Sequence, residues 1–215
     1  MNSVTEAIAR ACCHGMDARS LYVGGSVAPF CARCTGMYVG ILGAVLLLGC
    51  AGALTRRRLP PRWQMALLSL PWIIAGAAWV LEFGGLDILG NVGRALVGLA
   101  CGASGTVLLA PLFARVIRPA GGSRRGAPAS RALGIIIIGG CGTAMAHPAA
   151  RYCCLAVLPA AGFVLTVFAL NGLIAAALIL EMGRRRWLGW GALAACAGAS
   201  EIAIISSLRA WLSAF

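Results

Sequence analysis

The sequence predicts an all-α membrane protein, a polytopic helical bundle with about six transmembrane spans. Of its 215 residues, 60% are hydrophobic and 11% are charged, which is less than half the charged share of a typical soluble domain. Apolar runs long enough to cross a hydrocarbon core of roughly 30 Å recur along the chain. Short Arg-rich connections separate these runs, as in multi-pass membrane proteins.

The elements follow in a simple order. Residues 1–34 hold scattered charges and no early apolar core of the kind found in a cleavable signal peptide, so we expect an N-terminal Cys/His segment that persists outside the membrane. Residues 35–215 are expected to form one six-span membrane domain. The predicted spans cover residues 35–54, 64–83, 92–114, 132–147, 155–180 and 187–208.

The basic residues predict the orientation. The net charge is +12, which in a soluble protein would suggest binding to nucleic acid. Here the arginines gather in short loops, so the expected partner is the lipid bilayer of the cell (inner or plasma) membrane and not nucleic acid. Twelve of the eighteen follow spans one, three and five: Arg56, Arg57, Arg58, Arg62, Arg115, Arg118, Arg124, Arg125, Arg131, Arg184, Arg185 and Arg186. The positive-inside rule then places both termini outside the cytoplasm.

That orientation gathers the chemically active residues on one face. The N-terminal segment shares this face with the connections 82–94 and 147–154, and the three together hold both histidines and six of the ten cysteines. A single extracytoplasmic site is expected there. Glycines at matching spacing in spans one and three predict that these two helices pack closely, which would bring Arg94 near the Cys31/Cys34 turn. They are Gly36, Gly40 and Gly43 in span one and Gly98, Gly102 and Gly105 in span three.

Four residues predict a metal site: Cys13, His14, Cys31 and Cys34. Three thiolates and one imidazole form a standard tetrahedral zinc set, and Cys31-x-x-Cys34 has the spacing of a ligand pair. Zinc is the first expectation, with copper or iron as alternatives because thiolate and imidazole suit them too. Cys12 offers an alternative thiol two positions before His14.

Three other interpretations remain open for the same residues. A Cys-x-x-Cys pair at a helix N-terminus has a lowered thiol pKa, which suits a quinone-linked thiol-disulfide oxidoreductase that uses Cys31 and Cys34. A static disulfide or a structural zinc staple is a further possibility. The last interpretation is a transporter or metal-handling permease, with the cluster as its entry site.

The leading hypothesis is a membrane metalloenzyme that acts on a lipid-borne or small anionic substrate. Its candidate catalytic residues are Asp87, Asn91, Arg94 and Glu201. Arg94 would grip an anionic group, although Asp87 and Arg94 also suit an ion pair and Asn91 suits the N-cap of span three. A carboxylate as deep as Glu201 must be protonated or paired, and its candidate partners are Arg94, Arg33 and Arg209.

The sequence resembles a known family at these residues. The stretch Cys13-His14-(x4)-Arg19-Ser20-(x10)-Cys31-Ala-Arg-Cys34-Thr-Gly36-Met-Tyr38-Val-Gly40 is similar to the signature of domain of unknown function 2085, a family of predicted multi-pass membrane proteins. The stretch Asp87-(x3)-Asn91-(x2)-Arg94-(x3)-Gly98-(x3)-Gly102 is similar to that family's second motif. The two motifs cover roughly residues 12–105. The resemblance implies a membrane protein with a site at these residues and implies no particular reaction.

Overall fold

The computed structural model describes residues 3–13, 17–23, 26–51, 59–117 and 153–179, together with the positions 196, 198–200 and 203. In this part of the chain the protein is mostly helical. The α-helices whose bounds lie within the described residues are α1 (Ser3–Cys12), α2 (Ala32–Cys50), α3 (Arg62–Phe83), α4 (Gly90–Ile117) and α5 (Leu158–Ile179). A single 3₁₀ turn, Asp17–Arg19, and a π-helical turn, Cys153–Val157, precede β1 and α5 respectively.

A β-hairpin between α1 and α2 corrects the all-α prediction. Its antiparallel strands are β1 (Ser20–Val23) and β2 (Ser26–Cys31), and Val23 pairs with Ser26 across the Gly24-Gly25 connection. Two glycines between short runs rich in apolar residues are a strong hairpin signal. The hairpin lies ahead of the first long apolar run, where the apolar run lengths that predict spans carry no information about strands.

Four of the described helices are long and apolar enough to span a membrane: Ala32–Cys50, Arg62–Phe83, Gly90–Ala114 and Leu155–Gly172. They correspond to predicted spans one, two, three and five. The predicted span 132–147 lies outside the described residues. Within the predicted span 187–208, the described positions 196, 198–200 and 203 are all helical.

Helices α2 and α4 pack backbone to backbone, as the glycine spacing predicted. A Cβ atom added to Gly36 would meet the carbonyl oxygen of Ala95, and one added to Gly102 would meet that of Met37. Gly40 and Gly98 face the opposite helix in the same way, whereas a Cβ on Gly43 would meet nothing within 4 Å. Small residues permit this close approach where lipid supplies no hydrophobic driving force between helices.

Helix α3 presents large apolar side chains on its outer surface. Trp63, Leu67, Ile73, Val80 and Phe83 are each more than half exposed. Hydrocarbon is the solvent in which such a surface is stable, since water would penalise an apolar patch of this size. Helix α3 is tied to α4 by the indole of Trp72, which donates to Ser104 Oγ at 3.1 Å. The described helices thus form a bundle suited to a bilayer.

Candidate metal centre

Three different elements supply the thiols of Cys13, Cys31 and Cys34. Cys13 directly follows α1, and its amide donates to the carbonyl of Ala9 at 2.8 Å, which continues the helical turn. Cys31 is the last residue of β2, and Cys34 lies in the first turn of α2. Their three Sγ atoms all lie within 4.8 Å of one another. The hairpin therefore folds back to join residues that are distant in the sequence into one group, which we call the thiol cluster.

The spacing of the thiol cluster fits a shared metal ion. Tetrahedral zinc with Zn–S bonds near 2.3 Å holds its thiolates about 3.8 Å apart, which is inside the observed limit of 4.8 Å. No disulfide bond joins the cysteines of this region, which are Cys12, Cys13, Cys31 and Cys34. The amide of Cys31 donates a hydrogen bond to Cys13 Sγ at 3.1 Å. Such a bond favours the thiolate, which is the form that binds metal.

The thiol cluster is largely shielded from water. Cys13 is 3% exposed and packs with Ala9, Phe30 and Ala160, while Cys31 and Cys34 are partly buried against the same group. The hydrogen bond with the Cys13 thiol, together with burial, raises the pKa of the Cys31 thiol above its usual value. The oxidoreductase interpretation predicted a lowered thiol pKa, and the direction found for Cys31 is the opposite. A buried thiolate without a cation is unfavourable, so the thiol of Cys31 stays protonated when no cation is near, and the three thiols form a group that could hold a metal ion.

The fourth predicted ligand is His14. It lies outside the described residues, so its predicted role stays a prediction. Cys12, the alternative thiol, is partly buried, and its Sγ lies 3.7 Å from the carbonyl of Ala9 within the same helix. Glu201 and Arg209 also lie outside the described residues, so the predicted pairing of Glu201 stays a prediction as well.

Arg94 lies in the first turns of α4 and is only 5% exposed. Each of its three side-chain nitrogens has a protein partner. Nε donates to Glu82 Oε1 at 3.0 Å, Nη1 donates to Asn91 Oδ1 at 3.0 Å, and Nη2 lies 3.1 Å from Asp87 Oδ1. The structure therefore brings the predicted residues Asp87, Asn91 and Arg94 together. Each of the three nitrogens is thus held by an acidic or amide side chain of the protein, and the guanidinium is almost completely buried.

Asn91 connects this group to the N-terminal segment. Its Nδ2 donates to the carbonyls of Ala18 and Ser20 at 3.2 and 3.1 Å. The suggestion that Asn91 caps span three is wrong, because α4 begins at Gly90 and the amide of Gly90 donates to Asp87 Oδ1 at 3.1 Å. The residue that receives the terminal amide is therefore Asp87, three positions earlier.

Glu82 is the residue that the sequence analysis missed. Its side chain is 5% exposed and forms ion pairs with three arginines: Arg33 Nη2 at 2.8 Å, Arg94 Nε at 3.0 Å and Arg19 Nη1 at 3.5 Å. Its Oε2 and Arg33 Nε are buried atoms without a hydrogen-bond partner. We call the set of Arg19, Arg33, Glu82, Asp87 and Arg94 the ion-pair cluster. The available signal was an acidic residue at the very end of an apolar run, where burial of a charge requires a partner.

The two clusters occupy the same end of the bundle. Arg33 stands between Cys31 and Cys34 in the chain, and its guanidinium reaches Glu82 at the end of α3. The turn Cys153–Val157 contacts β2, and its Ala156 is 1% exposed. The N-terminal segment and the 82–94 connection therefore meet there, whereas residues 147–152 of the third predicted segment lie outside the described residues.

Comparisons with known proteins agree with this picture. Residues 13–108 match the model of a family described as "Predicted membrane protein (DUF2085)". The uncharacterized protein MJ1492 of Methanocaldococcus jannaschii is 27% identical over 105 residues, which are 49% of this chain and 65% of that protein. The chain thus spans slightly less than two thirds of the length of this relative. No solved structure matches the chain. The matched region contains the thiol cluster and the residues of both motifs, so the resemblance to the domain of unknown function 2085 family of predicted membrane proteins is confirmed over residues 13–108.

Proposed function

We propose that this membrane protein binds one metal ion through Cys13, Cys31 and Cys34, with zinc as the expected metal. The observation that carries the proposal is the convergence of three Sγ atoms to within 4.8 Å of one another. Thiolates select soft or borderline cations, so copper and iron are the alternative metals. His14, adjacent to Cys13 in the chain, is the proposed fourth ligand and would complete a Cys₃His set.

The proposed ion ties the N-terminal segment to the membrane bundle. Its ligands come from the end of α1, the end of β2 and the first turn of α2, so one ion would hold three elements in register. A four-coordinate Cys₃His site has no open position for water or substrate. The metal centre is therefore proposed to be structural when His14 ligates.

An enzymatic role requires an open coordination position on the metal ion. Such a position exists only if His14 does not bind the ion. If three thiolates alone hold the ion, a lipid-borne or small anionic substrate could occupy the fourth position. Asp87, Asn91 and Arg94 would then act as positioning residues. The arginines that retain solvent exposure, Arg19 at 41% and Arg33 at 27% of the side chain, are better placed to meet an anion than Arg94, whose side chain is 6% exposed. On this proposal the site faces the extracytoplasmic side.

Metal analysis of the purified full chain tests the proposal. We expect about one zinc per chain in the wild type, a loss of most of it in Cys31→Ser and Cys34→Ser, and no loss in Cys50→Ser. Cys50 is a matched control, because it is a partly buried thiol at the far end of α2. His14→Ala separates the closed site from the open one, since zinc should be lost if His14 ligates and retained if the three thiolates suffice.

The release of protons on metal binding provides a second test of the proposed metal site. The raised pKa of Cys31 means that its thiol carries a proton at neutral pH in the metal-free protein, and metal binding must displace it. Apparent affinity should therefore rise as pH rises. Calorimetry in two buffers of different ionisation enthalpy measures the released protons, and an affinity independent of pH would contradict thiolate ligation.

The thiol-disulfide interpretation remains the second candidate, because reduced thiols this close can exchange electrons as well as share a metal. It predicts no stoichiometric metal and a reducible bond between Cys31 and Cys34 in the isolated protein. That pair of results would overturn the metal proposal. The raised pKa of Cys31 counts against the thiol-disulfide interpretation, since an attacking thiol needs a substantial thiolate fraction.

A further inference from the structure

A cavity of about 550 Å³ lies inside the described bundle, below the thiol cluster. Its walls come from α2, α4 and α5, with Trp72 of α3 at one side. On α2 it reaches Tyr38, about one helical turn after Cys34. Along α4 it extends from Cys101 to Ala114, which is roughly 20 Å at 1.5 Å per residue. Its size is typical of a ligand site.

The cavity wall offers hydrocarbon and few polar groups. The two threonines that line it are engaged by the protein: Thr106 Oγ1 donates to Gly102 O at 2.9 Å, and Thr166 Oγ1 donates to Gly162 O at 2.7 Å. Of the other polar groups in the lining, the Tyr38 hydroxyl interacts with the Cys12 side chain, and the Cys101 thiol is a weak hydrogen-bonding group. The Trp72 indole is bonded to Ser104. A ligand that carries carbonyls or charges into the cavity would lose hydration without gaining partners. Water itself is a poor occupant of a cavity of this character.

The cavity opens toward the apolar outer surface of the bundle. Leu109, Leu165 and Leu170 line it and are 42%, 37% and 48% exposed. All three lie within helices that are apolar and long enough to span the membrane. This rim therefore lies at the depth of the hydrocarbon of the bilayer.

We propose that the cavity holds one acyl chain of a membrane phospholipid, whose polar head remains outside the cavity. The unsubstituted hydrocarbon matches a wall whose polar groups are satisfied, and each buried methylene adds to the binding. This inference goes beyond the metal site and does not depend on it, because no proposed metal ligand lines the cavity. A lipid that places its polar head group inside the cavity is disfavoured on the same grounds.

Cavity-filling variants test the proposal on the full chain. Ala169→Phe and Thr106→Phe place an aromatic ring in the cavity from opposite helices, α5 and α4. Ala161→Phe adds the same ring to an exposed position of α5 that does not line the cavity. Native mass spectrometry of protein purified in mild detergent counts the phospholipid that each variant retains. We expect one tightly held phospholipid in the wild type and in Ala161→Phe, and about a tenfold or greater decrease in retained lipid in the two cavity variants.

A photolabel locates the chain independently. In vesicles of phosphatidylglycerol that include a diazirine-acyl phosphatidylglycerol, cross-links should concentrate on cavity-lining peptides around Ile41, Thr106 and Ala169. Unchanged metal content and thermal unfolding in the variants would show that they fold. Absence of retained lipid in the wild type, equal retention in both cavity variants, extraction of a quinone or prenyl lipid, or cross-links confined to the outer surface of α3 would overturn the proposal. If one cavity variant does not fold, the other and the photolabel still decide.

Discussion

Glu82 is the acidic residue on which Arg19, Arg33 and Arg94 converge, and it links the 3₁₀ turn before the hairpin, α2 and α4 to the end of α3. Loss of one member of a buried ion pair leaves its partner charged and uncompensated. We therefore expect Glu82→Gln to lower the free energy of unfolding by about 3–5 kcal/mol, the range for breaking such a pair. Thermal unfolding of the detergent-solubilised chain measures this change.

Asp87→Asn is the control for that substitution. Asp87 pairs with the same Arg94, but its side chain is 53% exposed, and a solvated pair contributes about 0–1 kcal/mol. A similar loss of stability in both variants would contradict the assignment of Glu82 as the centre of the cluster. A loss in Glu82→Gln without loss of zinc would further separate the ion-pair cluster from the metal centre.

At the scale of elements, the α2–α4 contact rests on glycines that tolerate no side chain. A methyl group at Gly102 would meet the carbonyl of Met37, and backbone atoms cannot rotate away as a flexible side chain can. Gly102→Ala should therefore separate the helices and cost about 1–3 kcal/mol of stability, the usual cost of overpacking. Gly43→Ala is the matched control in α2, because its added Cβ meets nothing within 4 Å.

The control has an expected sign of its own. Alanine in a helix interior is favoured over glycine by about 0.5–1 kcal/mol, so Gly43→Ala should leave stability unchanged or raise it slightly. Unfolding of the two variants in the same detergent compares them directly. If Gly102→Ala is as stable as Gly43→Ala, the two backbones are not in the close contact that the structure shows.

The sequence predicted the features of the fold that depend on residues close together in the chain. Apolar run length identified the four described spans, and glycine spacing identified the α2–α4 contact, because each depends on periodicity within a single helix. The role of Glu82 could not be predicted in this way. Three arginines from separate elements define it, and their meeting follows from tertiary packing. The same limit explains why the sequence suggested Arg33 and Arg94 as ion-pair partners of Glu201, a residue outside the described part of the chain.

At the scale of the whole molecule, the ends of three described helices lie together at one end of the bundle. The N-terminal ends of α2 and α4 and the C-terminal end of α3 meet at Arg33, Arg94 and Glu82. These three ends therefore share one side of the membrane with the thiol cluster. The arginines concentrated after spans one, three and five predict that this shared side is extracytoplasmic.

Cysteine labelling in intact cells tests that orientation on the full chain. Leu86, between α3 and α4, and Leu59, between α2 and α3, are exposed at 58% and 44%. With wild-type protein as the background, Leu86→Cys should react with a membrane-impermeant maleimide in intact cells, and Leu59→Cys should react only after permeabilisation. The reverse pattern would place the thiol cluster in the cytoplasm. There, reducing conditions would disfavour a disulfide, so the orientation bears directly on whether these cysteines hold a metal or exchange electrons.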